Sequence, residues 1–183
     1  MNRPHYNNAI QRLGILDDLG AYDPHVAGTP PLGVHTDTSD IDILCCAPDA
    51  DVFLDTIVSL YSNHTGFSCW QWVSGDRPLI ANFHAEGWEF EIYASPQPVK
   101  QQAGWRHFTI EQRLLALGGE TFKAKIMSLR SEGYKTEPAF WAALGFGSNS
   151  SGNTHGNAYS GMLELCNDTD EALVDRLKQA GFA

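Results

Sequence analysis

Hydrophobic residues recur along the chain in two patterns, one with the spacing of a helix and one with the spacing of a strand. These patterns predict the secondary structure. Apolar residues at helical spacing predict six helices. These helices cover residues 7–19, 48–61, 105–117, 122–132, 139–144 and 169–180. Thr169 is expected to cap the last helix, because its hydroxyl can accept from a free backbone N–H.

Short apolar or alternating runs in the first half predict strands. These strands cover residues 25–28, 40–46, 67–73, 79–85 and 88–94. Turn residues separate the last three, so an antiparallel meander is expected. The prolines and glycine of Thr29–Gly33 predict irregular structure, and the Gly, Ser and Asn content of 147–161 predicts a flexible loop.

The order of these elements predicts the fold class and the organisation of the chain. We expect an α/β protein of the α+β type, with a mixed, partly antiparallel sheet, flanking helices and a helical C-terminal tail. Residues 1–146 are expected to form the main domain, with 147–183 packed on the same unit.

Composition narrows the class of protein. The 183 residues suffice for one buried core, and no run is apolar enough for a membrane helix or a secretory leader. None of the four cysteines forms a CxxC pair, which argues against a zinc site or a disulfide framework. A cytoplasmic protein is therefore expected, with no membrane partner.

Charge is unevenly distributed along the chain. The net charge of −10 argues against broad, nonspecific nucleic-acid binding. Residues 1–99 carry 3 basic and 13 acidic side chains, whereas residues 100–140 carry 7 basic and 4 acidic ones. An acidic half followed by a basic segment suits a metal ion and a polyphosphate, although solvated surface charge explains any single residue equally well.

The pair Asp40 and Asp42 is the first candidate for chemistry. Residues two apart on a strand project from the same face, and two such carboxylates repel unless a cation neutralises them. Mg²⁺ or Mn²⁺ binds a few carboxylates together with water and substrate phosphates. Ile41 and Ile43 would anchor the strand in the core. An Asp-x-Asp pair is common, so by itself it is weak evidence.

A third carboxylate strengthens the prediction. The strand over 88–94 also carries two acidic residues on one face, Glu89 and Glu91. Either could complete a three-carboxylate cluster of the kind that two-metal phosphoryl transfer uses. Glu91 is preferred, because it lies nearer the apolar end of the strand. The competing interpretation is an edge strand that shows its polar face to water.

Other residues are candidates for binding phosphate. Gly28 lets backbone approach a phosphate, and the Thr29 hydroxyl can donate to one. Lys123 and Arg106 are candidate partners for a triphosphate, although solvated surface is the more common fate of such residues.

Two families share these motifs. The stretch from Gly28-Thr29 to Asp40-Ile41-Asp42 resembles the DNA polymerase beta-like nucleotidyltransferase superfamily, whose third carboxylate lies on a later strand. More closely, most of 6–146 resembles a bacterial family, domain of unknown function 4269. The resemblance to this family rests on residues 28–33, 39–43, 81–83, 90–92, 106–115 and 135–140. Thr29 stands where the superfamily usually has Ser, and residues after Gly147 match nothing in the motif.

The resemblance implies a nucleotidyltransferase fold with a metal and nucleotide site at Asp40, Asp42 and Glu91. The expected function is Mg²⁺-dependent or Mn²⁺-dependent transfer of a nucleoside monophosphate from an NTP, with ATP as the expected donor, to an acceptor. That acceptor is a small molecule, an RNA or a protein. Two alternatives stay open: a nucleotide-binding or partner-binding module without turnover, and a metal-dependent phosphohydrolase.

Overall fold

The computed structural model describes residues 3–146 and 155–182, with only the backbone described for 155–157. The chain divides into two compact units. The first holds residues 1–31 and 38–105, and the second holds 32–37 and 106–183. The predicted boundary between 146 and 147 borders residues outside the described part, so it stays a prediction.

A five-stranded sheet lies in the first unit, together with helices. Its strands are β1 His25–Ala27, β2 Ile41–Cys46, β3 Thr65–Gln71, β4 Leu79–Ala85 and β5 Trp88–Ser95. Their order in the sheet is β1-β2-β5-β4-β3, in which β2 pairs with β5 in parallel and all other pairs are antiparallel. The prediction of a mixed sheet that ends in an antiparallel meander is confirmed.

The described residues contain eight α-helices. They are α1 Tyr6–Leu13, α2 Ile15–Asp18, α3 Thr29–Leu32, α4 Ala50–Tyr61, α5 Ala103–Ser131, α6 Thr136–Ala143, α7 His155–Leu165 and α8 Asp170–Gln179. In α4, the Asp49 side chain accepts from the N–H groups of Asp51 and Val52, as an N-cap does. No helix within the described ranges is long and apolar enough to cross a membrane.

Several bounds differ from the sequence prediction, and in three places the kind or continuity of an element differs as well. The first predicted helix is broken into α1 and α2, because Gly14 adopts a left-handed φ of 75°. Thr29–Leu32 forms a helical turn, not irregular chain, since proline is tolerated in the first turn where its missing N–H has no helical partner. Residues 155–161 belong to α7, not to a loop, and 147–154 lie outside the described residues.

The core of the first unit lies between its sheet and its helices. Three aromatic rings form its centre: Tyr61 of α4 stacks on Phe83 at 4.7 Å, and Phe83 stacks on Phe90 at 5.5 Å. The inward residues of β2 and β5 are fully buried around them. This packing fixes the two central strands, so side chains on their other face are held in place.

Helices form the second unit. The long helix α5 contains a non-helical residue, Gly119, with φ 63° and ψ −161°, which matches the break that the sequence pattern predicted before Phe122. Thr169 caps α8 by accepting from the backbone N–H of Ala172 at 3.3 Å, as predicted.

Candidate functional site

The two aspartates lie at the beginning of the central strand β2. Because β2 begins at Ile41, Asp40 immediately precedes the strand and Asp42 is its second residue. Ile41 and Ile43 are fully buried, whereas Asp40 and Asp42 are half-buried. The alternation of the strand therefore holds the aspartates away from the core side that anchors it.

Strand register places Glu91 beside Asp42. Asp42 pairs with Ala27 on one side and with Glu91 on the other, and Glu91 pairs in turn with Asn82. Residues paired directly across neighbouring strands point to the same face of a sheet. Ala27, Asp42, Glu91 and Asn82 thus form one row across four strands, and two of its neighbouring positions are acidic.

The asparagine in this row contacts both glutamates of β5. Its Nδ2 donates to Glu91 Oε2 at 3.4 Å and to Glu89 Oε1 at 3.5 Å. Its Oδ1 is buried and has no hydrogen-bond partner among the described residues. Glu89 is exposed, whereas Glu91 is half-buried. The register and the burial both favour Glu91 over Glu89 as the third carboxylate of the cluster.

Burial and the neighbouring acidic side chains disfavour the charged form of the Glu91 carboxylate. Burial raises the pKa of Glu91 above its ordinary value, and the nearby negative charges of Asp40 and Glu89 raise it further. The hydrogen bond from Asn82 opposes this shift by stabilising the carboxylate. A cation placed at the row would relieve the repulsion among these acids, which is the electrostatic property that a metal site requires.

Gly28 lies directly against the Asp42 carboxylate. It has a φ of 76°, and a Cβ built on it would overlap Asp42 Oδ2 and lie 2.9 Å from Asp42 Cγ. Glycine is therefore needed here for two reasons, the backbone conformation and the close approach of Asp42. Thr29, the next residue, is 7% exposed and begins α3. The predicted roles of Gly28 and Thr29 in binding phosphate stay predictions.

The two predicted basic residues belong to the second unit. Lys123 Nζ lies over Gly33, 2.9 Å from the position that a Cβ would take there. Arg106 donates from Nη2 to the backbone oxygen of Leu163 at 3.1 Å. These contacts lie within the second unit, and the predicted binding of nucleotide by both residues stays a prediction.

A cavity of about 360 Å³ opens at the other end of the central strands, where β2 and β5 finish. Its polar lining includes Asp51, Gln71, Asp76 and Arg77. It contains none of the residues that the sequence singled out. Because the acidic row lies at the beginning of β2 and this cavity lies past its end, we do not assign the predicted chemistry to the cavity.

The structure also brings together a cluster that the sequence reasoning missed. One ligand atom from each of His107, Glu111 and Glu137 lies within 4.8 Å of the other two. Burial lowers the pKa of His107 and the charge of Arg106 lowers it too, against the effect of Glu137. The i, i+4 spacing of His107 and Glu111 in a predicted helix was a usable signal. Nothing in the sequence pattern joined Glu137 to them.

Comparison with known proteins identifies relatives at the level of family and fold. One family model, described as Domain of unknown function (DUF4269), matches residues 8–165. No curated protein sequence matches the chain significantly.

Solved structures are similar to this chain over part or most of its length. A chain of the GLD-2/RNP-8 complex superposes with a TM-score of 0.52 at 12% identity, over 95% of this chain and 75% of that one. The Cid1 poly(U) polymerase bound to MgGTP gives a TM-score of 0.49 at 11% identity, over 69% of this chain. The polymerase core of TRAMP, an RNA surveillance complex, gives 0.46 at 12% identity, over 96% of this chain.

This chain spans 40% of the Cid1 chain and 56% of the TRAMP polymerase chain. The first superposition confirms the prediction of a nucleotidyltransferase-like fold. At such low identity the likeness concerns the fold alone.

Proposed function

Since the chain belongs to the family called domain of unknown function 4269 and has a nucleotidyltransferase-like fold, we propose that it is a metal-dependent nucleotidyltransferase. It transfers a nucleoside monophosphate from a nucleoside triphosphate, with ATP as the expected donor, to an acceptor. The acceptor is a small molecule, an RNA or a protein. The net charge of −10 weighs against a long RNA, which basic surface would bind.

One observation carries this proposal: Asp42 and Glu91 are directly paired on parallel strands, and Asp40 lies close enough to raise the pKa of Glu91. Two acidic residues at paired positions of a sheet destabilise it unless something of opposite charge binds them.

The donor atoms of this row fit Mg²⁺ or Mn²⁺. Asp40, Asp42 and Glu91 offer carboxylate oxygens, and Asn82 adds a buried amide oxygen without a partner among the described residues. Oxygen ligands are what these hard cations prefer, and the second cation of a two-metal site would share the same carboxylates. When bound, the cation neutralises the phosphate charge and makes the acceptor hydroxyl more acidic.

The proposed transfer makes one bond to phosphorus and breaks another, and Glu91 takes part in it. In the proposed transfer, the acceptor oxygen forms a bond to the α-phosphorus, and the bond from that phosphorus to pyrophosphate breaks. The proton leaves the acceptor oxygen, and Glu91 is proposed to take it as a base or to serve as a ligand. Burial raises the pKa of Glu91, and a higher pKa makes a carboxylate a stronger base, which suits the first role.

Gly28 and Thr29 are proposed to act on the donor side. Gly28 positions the Asp42 carboxylate through the close approach described above. The Thr29 hydroxyl and the adjacent backbone are proposed to receive the outer phosphates, which leave as pyrophosphate.

Incubation with α-labelled nucleoside triphosphates tests the proposal. Purified full-length protein is incubated with each NTP, Mg²⁺ or Mn²⁺, and size-fractionated cell extract. Pyrophosphate release and label transfer are both measured. We expect pyrophosphate release that depends on one extract fraction, together with label in that fraction. The fraction that receives label then identifies the acceptor as small molecule, RNA or protein.

Two double variants make this experiment specific. Asp40→Asn with Asp42→Asn should abolish transfer, because a carboxamide binds Mg²⁺ far more weakly than a carboxylate. Asp51→Asn with Asp55→Asn makes the same charge change on the exposed surface of α4 and should leave transfer unchanged. Nucleotide binding without pyrophosphate release would favour the non-catalytic module. Release of phosphate or nucleotide without an acceptor would favour a phosphohydrolase.

A further inference from the structure

A group of metal-ligating side chains lies in the second unit, and the proposed nucleotidyl transfer makes no use of it. His107 and Glu111 lie one turn apart on α5, so they project from the same face of that helix. Glu137 lies in the first turn of α6. One ligand atom from each of the three residues lies within 4.8 Å of the other two.

Burial makes the charges of this group costly. His107 and Glu111 are each 4% exposed, and Glu137 is half-buried. Two carboxylates this close repel each other, and the loss of water around them strengthens the repulsion. A bound dication would neutralise both charges.

The imidazole gives independent evidence for a ligand. Both nitrogens of His107 are buried, and neither has a hydrogen-bond partner among the described residues. A buried polar group that lacks a partner is rare in folded proteins and costs free energy. The Tyr159 ring covers the imidazole, with centroids 4.1 Å apart, and offers no hydrogen-bond partner to it.

We infer that His107, Glu111 and Glu137 form a second metal site, which binds a transition-metal dication of the Zn²⁺ type. One imidazole nitrogen and two carboxylate oxygens are a ligand set that Zn²⁺ accepts, with water in the fourth position. Zn²⁺ bonds of about 2.1 Å place tetrahedral ligand atoms about 3.4 Å apart, which small side-chain rotations within this cluster can reach. The nitrogen ligand disfavours Mg²⁺, so the two sites differ in metal preference.

The site joins two helices of the second unit. His107 and Glu111 belong to α5, Glu137 belongs to α6, and only residues 132–135 connect the helices. A metal held by both helices stabilises the folded state, because the ligands are assembled there and dispersed in the unfolded chain. The metal therefore acts as a structural link within the second unit.

Calorimetric titration of the metal-stripped full-length protein with ZnCl₂ tests this site. The protein carries no affinity tag and includes Asp40→Asn and Asp42→Asn, so that the acidic row of the first unit cannot contribute. We expect one Zn²⁺ to bind per chain. A roughly hundredfold excess of Mg²⁺ should not displace it. The midpoint of thermal unfolding should be higher with Zn²⁺ than without it.

Substitutions then assign the ligands. Glu137→Gln, at a half-buried position, should weaken Zn²⁺ binding at least tenfold and remove the thermal shift, while circular dichroism stays unchanged. Glu120→Gln removes an exposed carboxylate from α5 and should change neither. If the protein binds no Zn²⁺, or if Glu137→Gln binds it as tightly as Glu120→Gln does, the inference is overturned. If cysteines bound the Zn²⁺ instead, Glu137→Gln and Glu120→Gln would bind it equally tightly. Failure here leaves the nucleotidyl transfer experiment unaffected.

Discussion

Replacement of Gly28 by alanine should disrupt the acidic row without changing any of its charges. An alanine Cβ at this position would overlap Asp42 Oδ2 and lie 2.9 Å from Asp42 Cγ. Non-bonded carbon atoms pack about 3.5–4.0 Å apart, so the carboxylate must move by about 1 Å or more. Mg²⁺ tolerates little departure from its ligand distances, and a misplacement of this size costs a reaction roughly a hundredfold in rate.

Gly14 supplies a matched control for this substitution. Its φ of 75° equals that of Gly28 within a degree, but a Cβ built on it meets nothing within 4 Å. Gly14→Ala should therefore cost only the left-handed conformation, about 1–2 kcal/mol of unfolding free energy. Gly28→Ala should cost the same plus about 1–3 kcal/mol for the steric conflict.

Denaturant unfolding and Mn²⁺ titration measure these two effects. We expect Gly28→Ala to be the less stable variant and to bind Mn²⁺ at least tenfold more weakly than the parent, with Gly14→Ala unchanged in Mn²⁺ affinity. The titration is done with Glu137→Gln present, so that the second unit does not contribute. Equal stability losses and equal Mn²⁺ affinities for the two variants would refute this account of Gly28.

Further predictions concern the glutamates, a buried thiol and the core. Burial raises the pKa of Glu91 above 4.5, so the metal-free folded state holds this proton more tightly than the unfolded state does. The unfolding free energy should then fall as the pH rises above 4.5, and Glu91→Gln, but not Glu89→Gln, should remove that fall in EDTA-treated protein. Burial, followed by the charge of Asp23, raises the pKa of the Cys45 thiol to about 12. Native protein treated with a thiol reagent at about pH 8 should therefore leave Cys45 unlabelled in a peptide mass map, whereas unfolded protein is labelled. Phe83→Ala removes the middle ring of the aromatic stack and should cost about 3–5 kcal/mol in denaturant unfolding. A loss under about 1 kcal/mol would mean that the stack does not hold the sheet.

Much of the fold could be predicted because the local signals agree with the tertiary structure. Clear turns separate β3, β4 and β5, and β5 alternates apolar and polar residues from Trp88 to Ile92, so the bounds of β4 and β5 match the prediction closely. The errors arose where one residue overrides a pattern. A single left-handed Gly14 breaks a helix whose hydrophobic spacing continues past it. Prolines that exclude a helix interior are acceptable in the one-turn helix α3.

The candidate site could be predicted in part, for a physical reason. Asp40 and Asp42 lie close in sequence, so their spacing on a strand was visible directly. The choice between Glu89 and Glu91 depended on register, which is set by how β2 and β5 pair across almost fifty residues. The approach of Asp42 to Gly28 and the meeting of Glu137 with α5 are tertiary contacts, which no local pattern encodes.

An anomalous diffraction measurement tests the central claim most directly. Crystals of the full-length protein are grown with Mn²⁺ and a non-hydrolysable ATP analogue, and the anomalous difference map is calculated at the manganese edge. The account predicts a peak within about 2.0–2.5 Å of carboxylate oxygens from Asp40, Asp42 and Glu91, on the triphosphate side of that row. A bound triphosphate with no manganese at these three carboxylates, or a peak held by other residues alone, would contradict it.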